Sequence, residues 1–127
     1  MENFNGKIAV ITGGGTGMGR ELTYQLAAEG CNVSICDVIE ENMEETFQQA
    51  SKKYPQVKIT KHLCDVSSED DVLRFRDEVL EQQETEHINL LFNNAGIGGG
   101  ASFVLSGIEE WERTFKICWD GVYLCSR

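Results

Sequence analysis

Basic residues are scarce in this chain: 11 lysines and arginines stand against 21 aspartates and glutamates, a formal net charge of −10 over 127 residues. A field of that sign repels nucleic acid and anionic membrane surfaces, so neither is expected as the main partner. Small anions remain ligands wherever backbone N–H groups meet them locally. Long apolar runs are missing as well. No stretch approaches the roughly 20 residues a membrane span needs, and the opening "MENFNGK" has neither a basic n-region nor an apolar h-region. The expectation is a soluble, intracellular, cytoplasmic protein.

There is no C-x-x-C pair. Cys31, Cys36, Cys64, Cys118 and Cys125 are odd in number, and His62 and His87 complete no zinc pattern with them. Reduced, mostly buried thiols are expected, and no metal site. Cys118 and Cys125 fall on one face of a helix, two turns and about 10 Å apart, too far for a disulfide. Linkers, internal repeats and low-complexity segments are absent too. A chain of this length fits one domain that buries roughly two-thirds of its unfolded surface.

What the chain does hold is an alternation of strand and helix. "GKIAVIT" (6–12) reads as a buried strand, since Ile8, Ala9, Val10 and Ile11 are apolar without alternation, the pattern of a strand covered on both faces. The spacing of Met18, Leu22, Leu26 and Ala27 then predicts a helix that stops near Gly30. "CNVSICD" is a second strand. "EENMEETFQQASKKY" is a helix running from acidic to basic, which suits its macrodipole, with Pro55 beyond its end. A third strand, "VKITKHLCD", leads into "SSEDDVLRFRDEVLEQQ", a helix that Ser67 or Ser68 can cap. "HINLLFNNAG" is a fourth strand entering a turn. Beyond the loop "IGGGASFVL", Ser106 and Glu109 make a predicted capping box for a last helix, "EEWERTFKICWDGVYLCSR". The glycines of "GIGGG" (96–100) are read as loop, because no helix start follows closely enough to make a phosphate cradle. Helices of about 12 or more residues between strands imply parallel pairing through right-handed crossovers. The expected class is α/β, with helices on both faces of the sheet.

One stretch concentrates the chemistry. "ITGGGTGMGRE" (11–21) puts five glycines into seven positions between the first strand and the first helix. In its T-G-x-x-x-G-x-G pattern, Thr12, Gly13, Gly17 and Gly19, the first glycine permits a sharp exit from the strand. The others let the backbone approach a pyrophosphate and the helix pack close to the sheet. The helix start offers free N–H groups and a positive dipole end to the phosphates. Asp37 closes the second strand 20 residues after Gly17. A carboxylate there accepts hydrogen bonds from the adenosine ribose and repels a 2′-phosphate. Neither Thr16 nor Val38 supplies a cation to hold that phosphate, so NAD is the expected cofactor, preferred over NADP.

"CDVSSEDDV" after the third strand and "NNAG" after the fourth complete a set with the glycine pattern. With all three, the chain resembles the short-chain dehydrogenase/reductase family of the NAD-linked type, along all 127 residues. The resemblance implies a Rossmann-type doubly wound parallel sheet, truncated after the fourth strand and the fourth helix. It is one incomplete NAD(P)-binding domain (1–127) whose catalytic half is absent. Cofactor contacts are implied at Thr12, Gly13, Thr16, Gly17, Met18, Gly19 and Asp37, with Asp65 and Val66 against the adenine. Asn93, Ala95 and Gly96 would line the adenosine and nicotinamide-ribose side. The full form would move hydride between NAD and an alcohol or ketone, with a tyrosine as general base. The last helix, with Trp111, Phe115, Trp119 and Tyr123 at helical spacing, is similar to the family's subunit-contact helix, so a homo-oligomer is expected.

The catalytic positions are where the sequence departs from that pattern. The family's serine and its Y-x-x-x-K tyrosine and lysine follow the fourth helix, and its helix asparagine stands three residues before a glycine. Here that register is "CWDG", which places Cys118 at the asparagine position. A thiol cannot both donate and accept as an amide does. The only literal Y-x-x-x-K, Tyr54 to Lys58, is rejected: Pro55 disfavours helical geometry at Tyr54, and the pair lies at the sheet edge opposite the cofactor. No catalytic residue is therefore expected within the chain. A catalytically inactive short form, serving as a dinucleotide-binding or regulatory module, is the alternative. An S-adenosylmethionine-dependent methyltransferase is a remoter one, against which "NNAG" argues.

Overall fold

The computed structural model describes residues 2–98, 102 and 104–127. Four parallel strands, β1 (Ile8–Thr12), β2 (Asn32–Asp37), β3 (Ile59–Leu63) and β4 (Leu90–Phe92), form one sheet in the order β3-β2-β1-β4. The crossovers are filled by α1 (Gly17–Ala28), α2 (Glu40–Lys53) and α3 (Glu69–Gln82). After β4 come α4 (Ile108–Phe115), a π-helical turn (Lys116–Asp120) and α5 (Gly121–Ser126). Strand β1 is flanked on both sides, with Val10 opposite Ser34 of β2 and Leu91 of β4. All four carboxyl ends therefore meet one edge of the sheet.

Strand parity divides the core into two layers. Ala9, Ile11, Val33 and Ile35 join Leu26, Ala27, Met43 and Ala50 beneath α1 and α2. Val10, Cys36 and Cys64 turn the other way, onto Val72, Phe75 and Val79 of α3. Each fully buried aliphatic side chain contributes about 1.5–3 kcal/mol. Burial on both faces is why the strands read as apolar runs rather than alternations. The α3 layer also carries a hydrogen-bonded file. Gln83 Nε2 donates to Ser34 Oγ (2.9 Å), Ser34 and Thr60 share a hydroxyl bond (2.6 Å), Thr60 meets His62 Nε2 (2.8 Å), and His62 Nδ1 meets Glu78 Oε2 (2.8 Å). With each member partnered, the file is tolerated in the core.

Local signals account for two helix ends in particular. Gly30, at φ +82°, closes α1 in a Schellman motif, with Cys31 N bonded to Leu26 O and Gly30 N to Ala27 O. Ser68 is the cap of α3, accepting from Asp71 N at 3.3 Å. The capping box expected at Ser106 does not form. Gly107 is the N-cap of α4, without a side-chain cap, and Ser106 N is bonded to Ser102 O one turn earlier. With Gly107 at the N-cap, Ser106 stands one residue outside capping position. The last helix is also less regular than its spacing suggests, because the π-helical turn interrupts it just before Gly121. A Cβ at Gly121 would lie 2.7 Å from Val66 Cγ2, so glycine is what lets α5 seat against the β3–α3 connection.

The cysteines are all free: Cys31, Cys36 and Cys64 buried, Cys125 half-buried and Cys118 exposed. A hydrogen bond to Cys64, with burial, holds the Cys36 thiol well above its ordinary pKa, and burial pushes Cys125 up to about 11. These thiols stay protonated and pack as small apolar groups. No cluster of metal-ligating side chains occurs among the described residues. Among them, no helix is long and apolar enough to cross a membrane.

Candidate functional site

A cleft of about 830 Å³ opens at the carboxyl ends of the strands, where the strand order reverses about β1. The glycine turn between β1 and α1 forms one wall. Gly13, at φ +69°, turns the chain out of β1, a conformation that costs a side-chain-bearing residue about 1–2 kcal/mol. Gly14 N is bonded to Cys36 O (3.0 Å) and Gly15 N to Asp37 Oδ2 (2.9 Å). Arg20 fastens the same turn to α2: its guanidinium donates to Gly15 O (2.6 Å), Asn42 O (3.1 Å) and Thr46 Oγ1 (3.0 Å). Gly19 makes the closest approach, since a Cβ there would collide with the Gly13 carbonyl and stand 2.7 Å from Asn94 Nδ2.

The start of α1 is left electrostatically open. Thr16, its N-cap, makes no side-chain cap bond, and its first turn holds no acidic residue. By contrast α2, α3 and α4 begin with Glu40 and Glu41, with Glu69, Asp70 and Asp71, and with Glu109 and Glu110. Among α1 to α4, α1 alone therefore presents its N–H groups and positive dipole end without an acidic residue in its first turn to answer them.

Asp37 forms the next wall, its carboxylate bonded also to Val38 N (2.8 Å) and Ile39 N (3.1 Å). Three backbone donors thus fix its direction. Beyond β3, Asp65 Oδ1 accepts from Ser67 N (2.9 Å) and Ser67 Oγ (2.6 Å), while Asp65 N donates to Asp71 Oδ2 (2.9 Å). At the end of β4 the hydroxyl of Thr12 accepts Asn94 N (3.1 Å) and Ala95 N (3.0 Å). Asn94 Nδ2 answers with bonds to Thr12 O (3.1 Å) and Gly13 O (3.2 Å). The NNAG turn is stitched in this way to the glycine turn.

Of the expected cofactor contacts, Gly13, Thr16, Gly17, Met18, Asp37, Asp65, Val66, Ala95 and Gly96 line the cleft. Thr12, Gly19 and Asn93 lie behind it. Thr12 is spent on the NNAG turn, Gly19 on the Gly13 carbonyl, and Asn93 points toward α5, where Nδ2 donates to Ser126 Oγ (3.0 Å). Asn93 Oδ1 is buried without a hydrogen-bond partner among the described residues. Cys118 does not line the cleft; its Sγ faces the Ile97 carbonyl at 3.7 Å. The sequence reading missed Asn94, Arg20 and a stripe of α4 that closes the far wall. Of the loop read at 96–100 and beyond, Gly99, Gly100, Ala101 and Phe103 lie outside the described residues.

None of the three tyrosines lines the cleft. Tyr24 is bonded to Gln49 across α1 and α2, Tyr54 follows α2, and Tyr123 is exposed on α5 with the Arg127 guanidinium 6.0 Å from its ring centre. Lys58 is engaged with Gln82 O, away from the site.

A parallel sheet covered on both faces, with its cleft at the strand ends beside an uncompensated helix start, defines a Rossmann-type doubly wound α/β domain. The chain belongs to the short chain dehydrogenase family, whose model matches residues 7–127. It is 34% identical over 116 residues to epidermal retinol dehydrogenase 2 of Homo sapiens, covering 91% of this chain and 37% of that one. It is 32% identical over 124 residues to meso-2,3-butanediol dehydrogenase of Serratia marcescens, covering 98% of this chain and 47% of that relative. A solved short chain dehydrogenase/reductase from Burkholderia phymatum in complex with NAD matches with a TM-score of 0.90 at 32% identity, over 100% of this chain and 44% of that one. The chain thus spans less than half the length of each.

Proposed function

We propose that the chain is the dinucleotide-binding portion of an oxidoreductase. It takes NAD in preference to NADP, and the whole enzyme moves hydride between NAD and an alcohol or ketone. The observation that carries this reading is the open start of α1 beside a carboxylate, Asp37, in one cleft. The first suits a diphosphate and the second a ribose diol. The family, and the NAD in the Burkholderia phymatum structure, support it.

When bound, the nicotinamide supplies the hydride acceptor. This chain's own residues bind and orient. The N–H groups at the head of α1 meet phosphate, Asp37 accepts from ribose hydroxyls, and Asp65, Val66, Ala95 and Gly96 line the sides. The cleft has no tyrosine, so the chain by itself binds dinucleotide without turning over alcohol. Trp111, Phe115 and Trp119 form an exposed stacked ladder, with ring centres 5.2 Å and 5.7 Å apart, which supports a homo-oligomer joined through this helix.

Titration of the chain with NADH and NADPH, followed by nicotinamide fluorescence, tests the reading. Tighter binding of NADH is expected, and no binding of either would overturn it.

A further inference from the structure

Helix α4 faces the cleft with the wrong stripe for an ordinary amphipathic helix. The cleft wall it forms with the π-helical turn that follows consists of Glu109, Glu112, Arg113, Lys116 and Ile117, spaced along one face, while the Trp111, Phe115 and Trp119 ladder points to solvent. A helix that merely covered the site would bury its aromatic stripe and expose its charges.

The cations on that wall are unspent. Among the described residues neither Arg113 nor Lys116 is ion-paired, although Glu109 and Glu112 each stand one turn earlier, at the spacing and in the order that favours pairing. Glu109 turns back instead: its Oε2 lies 2.9 Å from where a Cβ of Gly107 would be, at the helix's own N-terminus. Arg20, Lys58, Lys61, Arg74, Arg76 and Arg127 have carboxylate partners, and the other cations without one among the described residues, Lys7, Lys52 and Lys53, do not line the cleft.

Charge balance asks for these two. A dinucleotide brings two negative charges on its diphosphate into a cleft already lined by Asp37, Asp65, Glu109 and Glu112, in a protein of net charge −10. The start of α1 answers with about half an elementary charge. Arg113 and Lys116 are the only cations among the described residues lining the cleft.

We propose that Arg113 of α4 and Lys116 of the π-helical turn form an anion subsite on this wall of the cleft that binds a phosphate of the adenine dinucleotide. The proposal rests on the dinucleotide reading above. The subsite supplies attraction common to NAD and NADP, while Asp37 discriminates between them.

The test uses the whole chain, with NADH and NADPH as probes at low and high salt. The variants are Arg113→Gln, Lys116→Gln, the double variant, and Lys7→Gln with Lys52→Gln as a charge-matched control far from the cleft. Each single cleft variant is expected to weaken binding about three- to fivefold at low salt, and the pair about tenfold, with the losses shrinking at high salt. The control is expected to change nothing. Equal losses for both probes support the proposal, and a loss confined to NADPH would overturn it, because NADH carries no 2′-phosphate. Unchanged affinities in the cleft variants, or equal losses in the control, would overturn it while leaving the dinucleotide reading intact. An unmodified chain that binds neither probe would overturn both.

Discussion

Asp37 Oδ2 accepts the backbone N–H of Gly15 at 2.9 Å, so the carboxylate at the end of β2 also holds the glycine turn in place. One residue is thereby committed to two tasks, shaping the phosphate wall and facing the ribose. Asp37→Ala removes both and is expected to weaken NADH binding while narrowing its advantage over NADPH. Asp37→Asn keeps an oxygen for Gly15 but loses the charge, so it should narrow the NADH–NADPH gap with less effect on the melting temperature. A charge-assisted bond of this kind is worth about 1.5–3 kcal/mol. Paired titrations and thermal melts of the two variants check this.

Gly19 is where α1 comes closest to the strand it follows. Gly19→Ala forces a methyl group onto the Gly13 carbonyl, with a rigid backbone on both sides. A loss of about 1–3 kcal/mol in urea unfolding is expected, together with a displaced glycine turn and weaker NADH binding. Gly98→Ala, where nothing lies within 4 Å, is the control and should leave the urea midpoint unchanged.

The order of strands and helices was legible because two-face burial leaves continuous apolar runs and the helices carry 3.6-residue spacing. The glycine pattern and Asp37 were legible because both act locally, at the ends of adjacent elements. Asn93 and Asn94 show where this stops. Parity from Leu91, which faces α3, sends Asn93 toward α5, and parity from Phe92 sends Asn94 to the glycine turn. That signal lay in the sequence, but only for a reader who already knew where β4 ends. Arg20 offered no local signal at all, since its partners Asn42 and Thr46 lie more than 20 residues away on another helix. Which residues of the last helix face the cleft is likewise decided by docking; the aromatic spacing marked its outward stripe and said nothing of the inward one.

His62 gives the fold a pH dependence. Burial holds its pKa below the ordinary value near 6.5, against the upward pull of Glu78, so the folded chain favours the neutral ring. The file of donors agrees: Gln83, Ser34 and Thr60 pass one proton each toward Nε2, which must accept, while Nδ1–H donates to Glu78. Because the folded pKa is depressed, the unfolded chain binds more protons in the window between the folded pKa and about 6.5. The contribution is present above about pH 6.5 and is lost as the pH falls. Urea midpoints at pH 8, 6.5 and 5 for the unmodified chain and His62→Gln should converge on acidification. A difference between the two that is constant with pH would contradict this.

Catalysis is expected to be absent from the chain alone. Hydride transfer to or from an alcohol needs a base within hydrogen-bond reach of the reacting oxygen, and none of the three tyrosines borders the cleft. Without general-base catalysis the rate falls about a hundred- to ten-thousand-fold. NADH absorbance with a panel of secondary alcohols should stay flat. Steady turnover that Tyr123→Phe abolishes would show that α5 reaches the site by some rearrangement.

The aromatic ladder makes the last prediction. Trp111 is 58% exposed, Phe115 42% and Trp119 66%, and Ile108, Val122 and Tyr123 extend the same uncovered region along α4 and α5. An apolar surface of this kind is stable in water only when something covers it, and a second copy presenting the same ladder offers stacking partners in matching register. Sedimentation and light scattering are expected to show concentration-dependent association. Trp111→Ser with Trp119→Ser should shift it toward monomer, because two of the three stacked rings are lost while the cleft wall is untouched. NADH affinity is the internal control. If it is unchanged while the mass falls, the outward stripe carries association and the inward stripe carries the ligand. A monomeric unmodified chain at high concentration would refute the homo-oligomer proposed for this helix.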